Sequence, residues 1–230
     1  MLDHPILTGC LTELLSEPSF TADAALSHPF RCESSLITIR PPGWTVGEFS
    51  PGFNRPHVVR PVAHAQPMKY QVDGGKIFGG LTTVIVELND VQKRQGGTAF
   101  LSGSHKAHFS YSGEGPKQWA PNATQGGFED SIMRGMEHYD CPAGSAVIFT
   151  ESTLHMATDW HGKSDRVAMF SRYNSVWAQW IYSNSPAARA VYAEMPRRRR
   201  SLFRDVYAHD FSRGKRNLFY DKEDEDNLVR

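Results

Sequence analysis

The chain has 230 residues, with 25 Lys and Arg against 25 Asp and Glu, so its formal net charge is zero and gives no electrostatic bias towards nucleic acid or an anionic membrane. Apolar residues make up 40%, aromatic residues 11% and charged residues 22%, a globular composition in which no apolar run approaches the roughly 20 residues that span a bilayer. Cys10, Cys32 and Cys141 are scattered and form no CxxC, which disfavours a disulfide scaffold or a structural zinc finger and fits free thiols in a reducing, cytoplasmic setting. The opening MLDHPILTGC has no basic stretch leading into an apolar one, so no secretory signal is expected.

In chain order, the first predicted element is a helix. Ile6, Leu7, Cys10, Leu11, Leu14 and Leu15 recur at helical spacing, with Asp3 and Pro5 placed for the cap and first turn. From Ser35 the texture changes to short strands broken by Gly and Pro: 35–40, 80–88, 98–101, 145–150 and 167–172. The run 80–88 is long and β-branched, as a central strand is. Several short strands with turn signals between them point to a sandwich or barrel. Residues 106–140, rich in Gly, Ser, Asn and His, form a long excursion expected to be loop, able to fold over a site. The end of the chain turns polar and helical. Its Arg197–Arg200 run reads as a solvated helix face opposed by the acidic Asp221–Asp226 run, not as a nucleic-acid patch. The expected organisation is one domain over 1–230: a helical lead-in to 34, a β core over 35–177 and a helical segment from 178.

Ten histidines raise the question of which converge on a metal. His155 follows the strand ending at Thr150, and Arg166 opens the next strand 11 residues later. In a barrel these two would face one cavity, where an arginine holds a carboxylate through two parallel hydrogen bonds. His64, 91 residues before His155, would supply a second imidazole. His57 is its rival, in an irregular loop with a less suitable spacing. His105 is read as bonding locally within its turn, and Asn89 and Asp90 as closing the turn after the central strand. Glu87 is expected to point outward, Trp160 and Arg172 are candidates to line the pocket, and Trp177 and Trp180 are expected to pack the carboxyl-terminal segment.

Two blocks carry a resemblance. Gly79-Gly-Leu-Thr-Thr-Val-Ile-Val-Glu-Leu-Asn-Asp-Val91 with Gly96-Gly-Thr-Ala-Phe-Leu-Ser-Gly-Ser-His-Lys106, and Pro142 through His155 to Arg166, resemble the phytanoyl-CoA dioxygenase family, with Ser102 in place of the proline of its Pro-Gly-Ser-His-Lys signature. The resemblance spans roughly 37–177 and includes both intervals. It implies a mainly β fold, a double-stranded β-helix (jelly roll, cupin-like) with helices flanking both ends. It also implies an Fe(II) centre with 2-oxoglutarate as cosubstrate. Carried over residue by residue, His64 is the proximal metal ligand, His155 the distal one, and Arg166 the clamp on the far carboxylate of 2-oxoglutarate. Two histidines and a carboxylate on one face leave positions free for the keto acid and oxygen.

The family's proximal motif is His-x-Asp, and here it reads His64-Ala65-Gln66. Four arrangements follow. Gln66 binds through its amide oxygen, a neutral donor; Asp73 reaches in from the following turn; Glu151 does so from the strand running into His155; or the position stays open, as in the iron halogenases, where chloride fills it. The expected function is Fe(II)- and 2-oxoglutarate-dependent hydroxylation or a related oxidation of a small organic substrate, with succinate formed. The alternatives are a halogenase and an inactive jelly-roll binder. The expected partner is a small molecule, with neither nucleic acid nor membrane, and oligomerisation is left open.

Overall fold

The computed structural model describes residues 1–16, 27–46, 69–106, 135–178, 191 and 194–204. The chain divides into two compact units, one comprising Met1–Ser34, Pro61–Thr82 and Ser171–Arg230, the other Ser35–Arg60 and Thr83–Phe170.

In the first unit the predicted helix is present as α1 (Pro5–Leu15), with Pro5 in its first turn and Leu7, Leu11 and Leu15 buried. Its N-cap is His4, which makes no side-chain cap bond. Asp3, the expected cap, instead accepts a hydrogen bond from Arg199 Nε at 2.8 Å. Arg31 binds this unit together: its Nε donates to Arg204 O at 3.0 Å, and its Nη1 donates to Glu33 Oε1 at 2.8 Å and Ala178 O at 3.2 Å. Arg197–Arg200 forms a four-residue helix whose residues are exposed or half-buried. The acidic run 221–226 and Trp180 lie outside the described residues.

The strands form three sheets. β1 (Phe30–Arg40), β4 (Thr82–Glu87), β7 (Ala146–Thr150) and β9 (Arg166–Ser175) lie in the order β1-β9-β4-β7. β5 (Gly96–Phe100), β6 (Glu137–His138) and β8 (His155–Trp160) lie in the order β6-β5-β8, with antiparallel pairing. β2 (Gln71–Asp73) and β3 (Lys76–Phe78) make a hairpin over Gly74 and Gly75, both at positive φ. All six residues of β4 are buried, as its β-branched run predicts.

Four of these strands were not legible in the sequence. β8 carries no alternating pattern and exists because β5 pairs along it from Gly96↔Trp160 to Phe100↔His155. β6 lies inside the stretch expected to be loop. Its pairs Ala99↔His138 and Phe100↔Glu137 add it to β5, which corrects the loop reading at that end. The hairpin β2–β3 is too short for a periodicity to register.

Gly96 and Gly97 hold the fold at one close approach. A register shift falls between them. Both have positive φ, and a Cβ on Gly96 would lie 1.7 Å from the carbonyl oxygen of Asp159. Among the described residues, no helix is long and apolar enough to cross a membrane.

Candidate active site

Arg166, Glu87, Tyr139, Glu151 and His155 all belong to the second unit. At its centre is Arg166, the first residue of β9 and fully buried. The backbone fixes its surroundings from three sides. Leu88 N donates to Val167 O at 2.9 Å, Val167 N donates to Asn89 Oδ1 at 2.9 Å, and Glu87 N donates to Ser145 O at 3.0 Å. Asp90 Oδ1 accepts from Ala143 N at 2.8 Å. Asn89 and Asp90 therefore tie the segment after β4 to β9 and to the turn before β7, whereas the sequence implies that they close their own turn.

That turn brings Glu87 under the guanidinium. Arg166 Nε donates to Glu87 Oε2 at 3.2 Å and Nη2 donates to Glu87 Oε1 at 2.5 Å, so one edge of the fork carries both carboxylate oxygens. Nη2 also donates to the Tyr139 hydroxyl at 2.9 Å, and that hydroxyl donates to Glu87 Oε1. Nη1 is buried and has no hydrogen-bond partner among the described residues. Burial alone would lower the pKa of Arg166, but Tyr139 and Glu87 outweigh it and hold the group above its usual value. Burial pushes the Tyr139 hydroxyl up, and it stays protonated. Gly97 packs against the guanidinium, where a Cβ would lie 3.3 Å from Cζ and 3.6 Å from Nη1.

His155 opens β8 and is buried. Its Nδ1 lies 2.8 Å from Thr153 O, so that nitrogen carries the proton and donates. Nε2 lies 3.5 Å from Glu151 Oε2. Glu151 is 1% exposed, and its Oε1 accepts a hydrogen bond from the Thr83 hydroxyl. Ser104, from the Ser-His-Lys signature, anchors the approach to His155: its Oγ accepts from Leu154 N at 2.7 Å and donates to Leu101 O at 2.7 Å.

One ring joins the two clusters. The Phe100 ring centroid lies 6.3 Å from that of His155 and 6.0 Å from that of Tyr139. Phe149 packs edge-on against both Phe100 and His155, at 4.8 and 4.9 Å. Beside this lies a second buried arginine, Arg40. Its Nη1 donates to Gly97 O at 3.0 Å, and its guanidinium sits 4.3 Å over the Trp44 ring. Burial, then repulsion from Arg166, pushes its pKa down to about 10, which leaves it charged at neutral pH. His138 Nε2 pairs with Thr158 Oγ1 at 2.8 Å, and burial followed by Arg166 pushes that imidazole down to about 4.

Of the residues singled out from sequence, His155, Glu151 and Arg166 fall in this unit and are buried. His57, His64 and Gln66 lie outside the described residues. Asp73 is exposed in the hairpin of the first unit, opposite Lys76. His105 sits half-buried in a 3-10 turn (Ser104–Lys106), its pKa lowered by burial and Lys106. Trp160 is turned to its own loop, with its indole N–H on Ser164 O at 2.8 Å. Arg172 is half-buried on the first-unit part of β9, and Trp177 stands 36% exposed rather than packed away.

The expectation for Glu87 is overturned: it is fully buried, because a strand covered on both faces leaves its side chain no route to solvent and Arg166 supplies the counter-charge. Glu87, Tyr139, Gly97, Arg40 and Ser104 were all missed as site residues. A signal existed for Glu87, since a lone carboxylate within a continuous apolar strand requires a buried cation. Among the described residues no three His, Cys, Asp or Glu side chains cluster as a metal site.

A mostly β chain in which a buried histidine and a buried arginine open two consecutive strands is of the double-stranded β-helix, cupin-like class. The chain belongs to the phytanoyl-CoA dioxygenase (PhyH) family, whose profile matches residues 11–168. Among solved structures it is similar to HygX from Streptomyces hygroscopicus with nickel and 2-oxoglutarate bound, at 17% identity and a TM-score of 0.53, over 76% of this chain and 64% of that one. HygX with iron bound gives 16% identity and a TM-score of 0.52, over 76% and 66%. HygX with nickel, 2-oxoglutarate and hygromycin B bound gives 14% and 0.51, over 77% and 65%. The chain thus spans just under two thirds of the length of these relatives. No curated protein matches it.

Proposed function

We propose that the chain is an Fe(II)- and 2-oxoglutarate-dependent oxygenase that hydroxylates, or otherwise oxidises, a small organic molecule. The observation that carries this reading is Nη1 of Arg166, a buried cationic donor with no hydrogen-bond partner among the described residues, held where Gly97, lacking a Cβ, lets the backbone come close to the guanidinium. A buried N–H of this kind costs about 1–3 kcal/mol unless it finds an acceptor. The distal carboxylate of 2-oxoglutarate is such an acceptor. Family membership and the 2-oxoglutarate complex of HygX support the same cosubstrate. The hygromycin B complex of that protein supports a small organic substrate.

His64 and His155 are the proposed imidazole ligands, and we assign the third position to Glu151 in place of Gln66. Its Oε2 is a buried carboxyl oxygen 3.5 Å from His155 Nε2, whereas Gln66 offers an amide oxygen and Asp73 is exposed. When bound, iron with 2-oxoglutarate and oxygen supplies the oxidising power, and 2-oxoglutarate leaves as succinate. The residues of this chain do the rest. Thr153 O fixes the His155 tautomer, Thr83 orients Glu151, and Arg166 anchors the cosubstrate. Phe100 and Phe149 keep water from the imidazole. A carboxylate at that place favours hydroxylation over halogenation, which needs the position open.

The test is aerobic incubation of the full chain with Fe(II) and 2-oxoglutarate. Iron-dependent succinate release, lost in Arg166→Ala, is expected. Succinate release that is indifferent to chelation of iron would reject the reading.

A further inference from the structure

Arg166 has two edges. The Nε–Nη2 edge is filled by both oxygens of Glu87, and Nη2 is also shared with the Tyr139 hydroxyl, so only Nη1 is left for a ligand. Resting on the reading above, we propose that Glu87 sets the affinity for the cosubstrate: it is an internal carboxylate that already occupies Arg166, so an incoming carboxylate meets a neutralised guanidinium and a single free nitrogen.

The arrangement divides two tasks that one side chain would otherwise combine. Without ligand, Glu87 spares the fold an uncompensated buried cation. With ligand, its negative charge opposes the incoming carboxylate across a short, water-poor distance. Arg40 offsets part of that repulsion: it is buried and charged, its Nη1 donates to the backbone oxygens of Gly97 and Thr158, and it lies close enough to Arg166 to lower its own pKa. Arg40, Arg166 and Glu87 together carry one net positive charge, which matches a single carboxylate group. Glu87 is not needed to hold the guanidinium in place, because Gly97 packs against its face and the Tyr139 hydroxyl keeps Nη2.

The experiment compares wild type with Glu87→Gln, which keeps the shape and one acceptor but removes the charge. Calorimetry measures the binding of glutarate to the metal-free full chain; glutarate has the distal carboxylate without the keto acid that would chelate iron. 2-Oxoglutarate binding is measured in parallel with Fe(II) under anaerobic conditions. Removing a like charge at this range should tighten glutarate binding by about tenfold or more, and the ligand should raise the melting temperature of the variant more than that of wild type.

Equal or weaker binding by Glu87→Gln, with wild type still binding 2-oxoglutarate, makes Glu87 a structural counter-ion only. That overturns the inference and leaves the proposed function standing. Failure of both proteins to bind either ligand overturns both. Should Glu87→Gln not fold in buffer, glutarate is expected to restore its folded signal by replacing the lost anion, and no recovery would also overturn the inference. Glu33→Gln, which removes the charge facing Arg31 in the first unit, serves as the control and should gain no affinity for glutarate.

Discussion

At the scale of single residues, two carboxylates that look alike in the sequence have different work. Glu87 and Glu151 each follow a run of apolar and β-branched residues, and both are buried. Glu87 faces a guanidinium, which makes it a counter-ion. Glu151 faces an imidazole whose far nitrogen is pinned, which makes it the proposed metal ligand. Glu151→Gln should therefore weaken Fe(II) binding by at least about tenfold, the lower end of what altered metal surroundings cost, while glutarate binding in the metal-free protein stays as in wild type. Equilibrium competition against a coloured iron chelator checks the first part. An unchanged Fe(II) affinity would return the third position to Gln66. Arg166 and His155 were legible because each stands at a fixed distance from a strand with a strong β signal. Tyr139 was not, because it emerges from a stretch of 35 residues without periodicity, and only pairing of β6 with β5 places it.

At the scale of elements, the sequence shows strands whose own residues favour extended backbone and hides those made by their neighbours. β4 is almost wholly β-branched and β9 carries the apolar run Val-Ala-Met-Phe straight after Arg166, and both were found; β8, reading His-Met-Ala-Thr-Asp-Trp, was not. Its start is set from outside, by Ser104, whose hydroxyl holds Leu154 N one residue before His155. This gives the Ser-His-Lys signature a mechanical role, since it ties the turn after β5 to the strand that carries the histidine. Ser104→Ala leaves that N–H without its acceptor and should cost about 1–2 kcal/mol of stability, read as a lower urea midpoint at unchanged slope. Ser104→Thr keeps the hydroxyl and should retain most of the wild-type value. Wild-type stability in the alanine variant would mean that the bond contributes nothing.

At the scale of the whole molecule, charge balance on paper conceals a buried interior full of ions. The net charge of zero gives no reason to expect a polyanion partner, yet Arg31, Glu33, Arg40, Glu87, Glu151, Arg166 and Arg204 are all buried. Composition reports only the sum, and which charges go inside depends on pairings between residues far apart in the chain. The same interior makes the protein sensitive to acid. Burial, reinforced by Arg198 for His28 and by Arg166 for His138, pushes both imidazoles from 6.5 down to about 4. Between those values the unfolded chain binds protons that the folded chain refuses, so stability is full above pH 6.5 and falls as the pH drops towards 4. His138→Gln, which can still bond Thr158, should show a shallower fall in denaturant titrations across that window; an identical slope would contradict the assignment.

The central claim is that His155 and Arg166 serve one iron and one cosubstrate. Its most direct test is an anaerobic titration of the full chain with Fe(II) and 2-oxoglutarate, followed in the visible spectrum. A weak metal-to-ligand charge-transfer band that saturates with 2-oxoglutarate, is abolished in His155→Ala and needs far more cosubstrate in Arg166→Ala is the expected result. A featureless spectrum in the wild-type chain, or a band unchanged by both substitutions, would contradict the account.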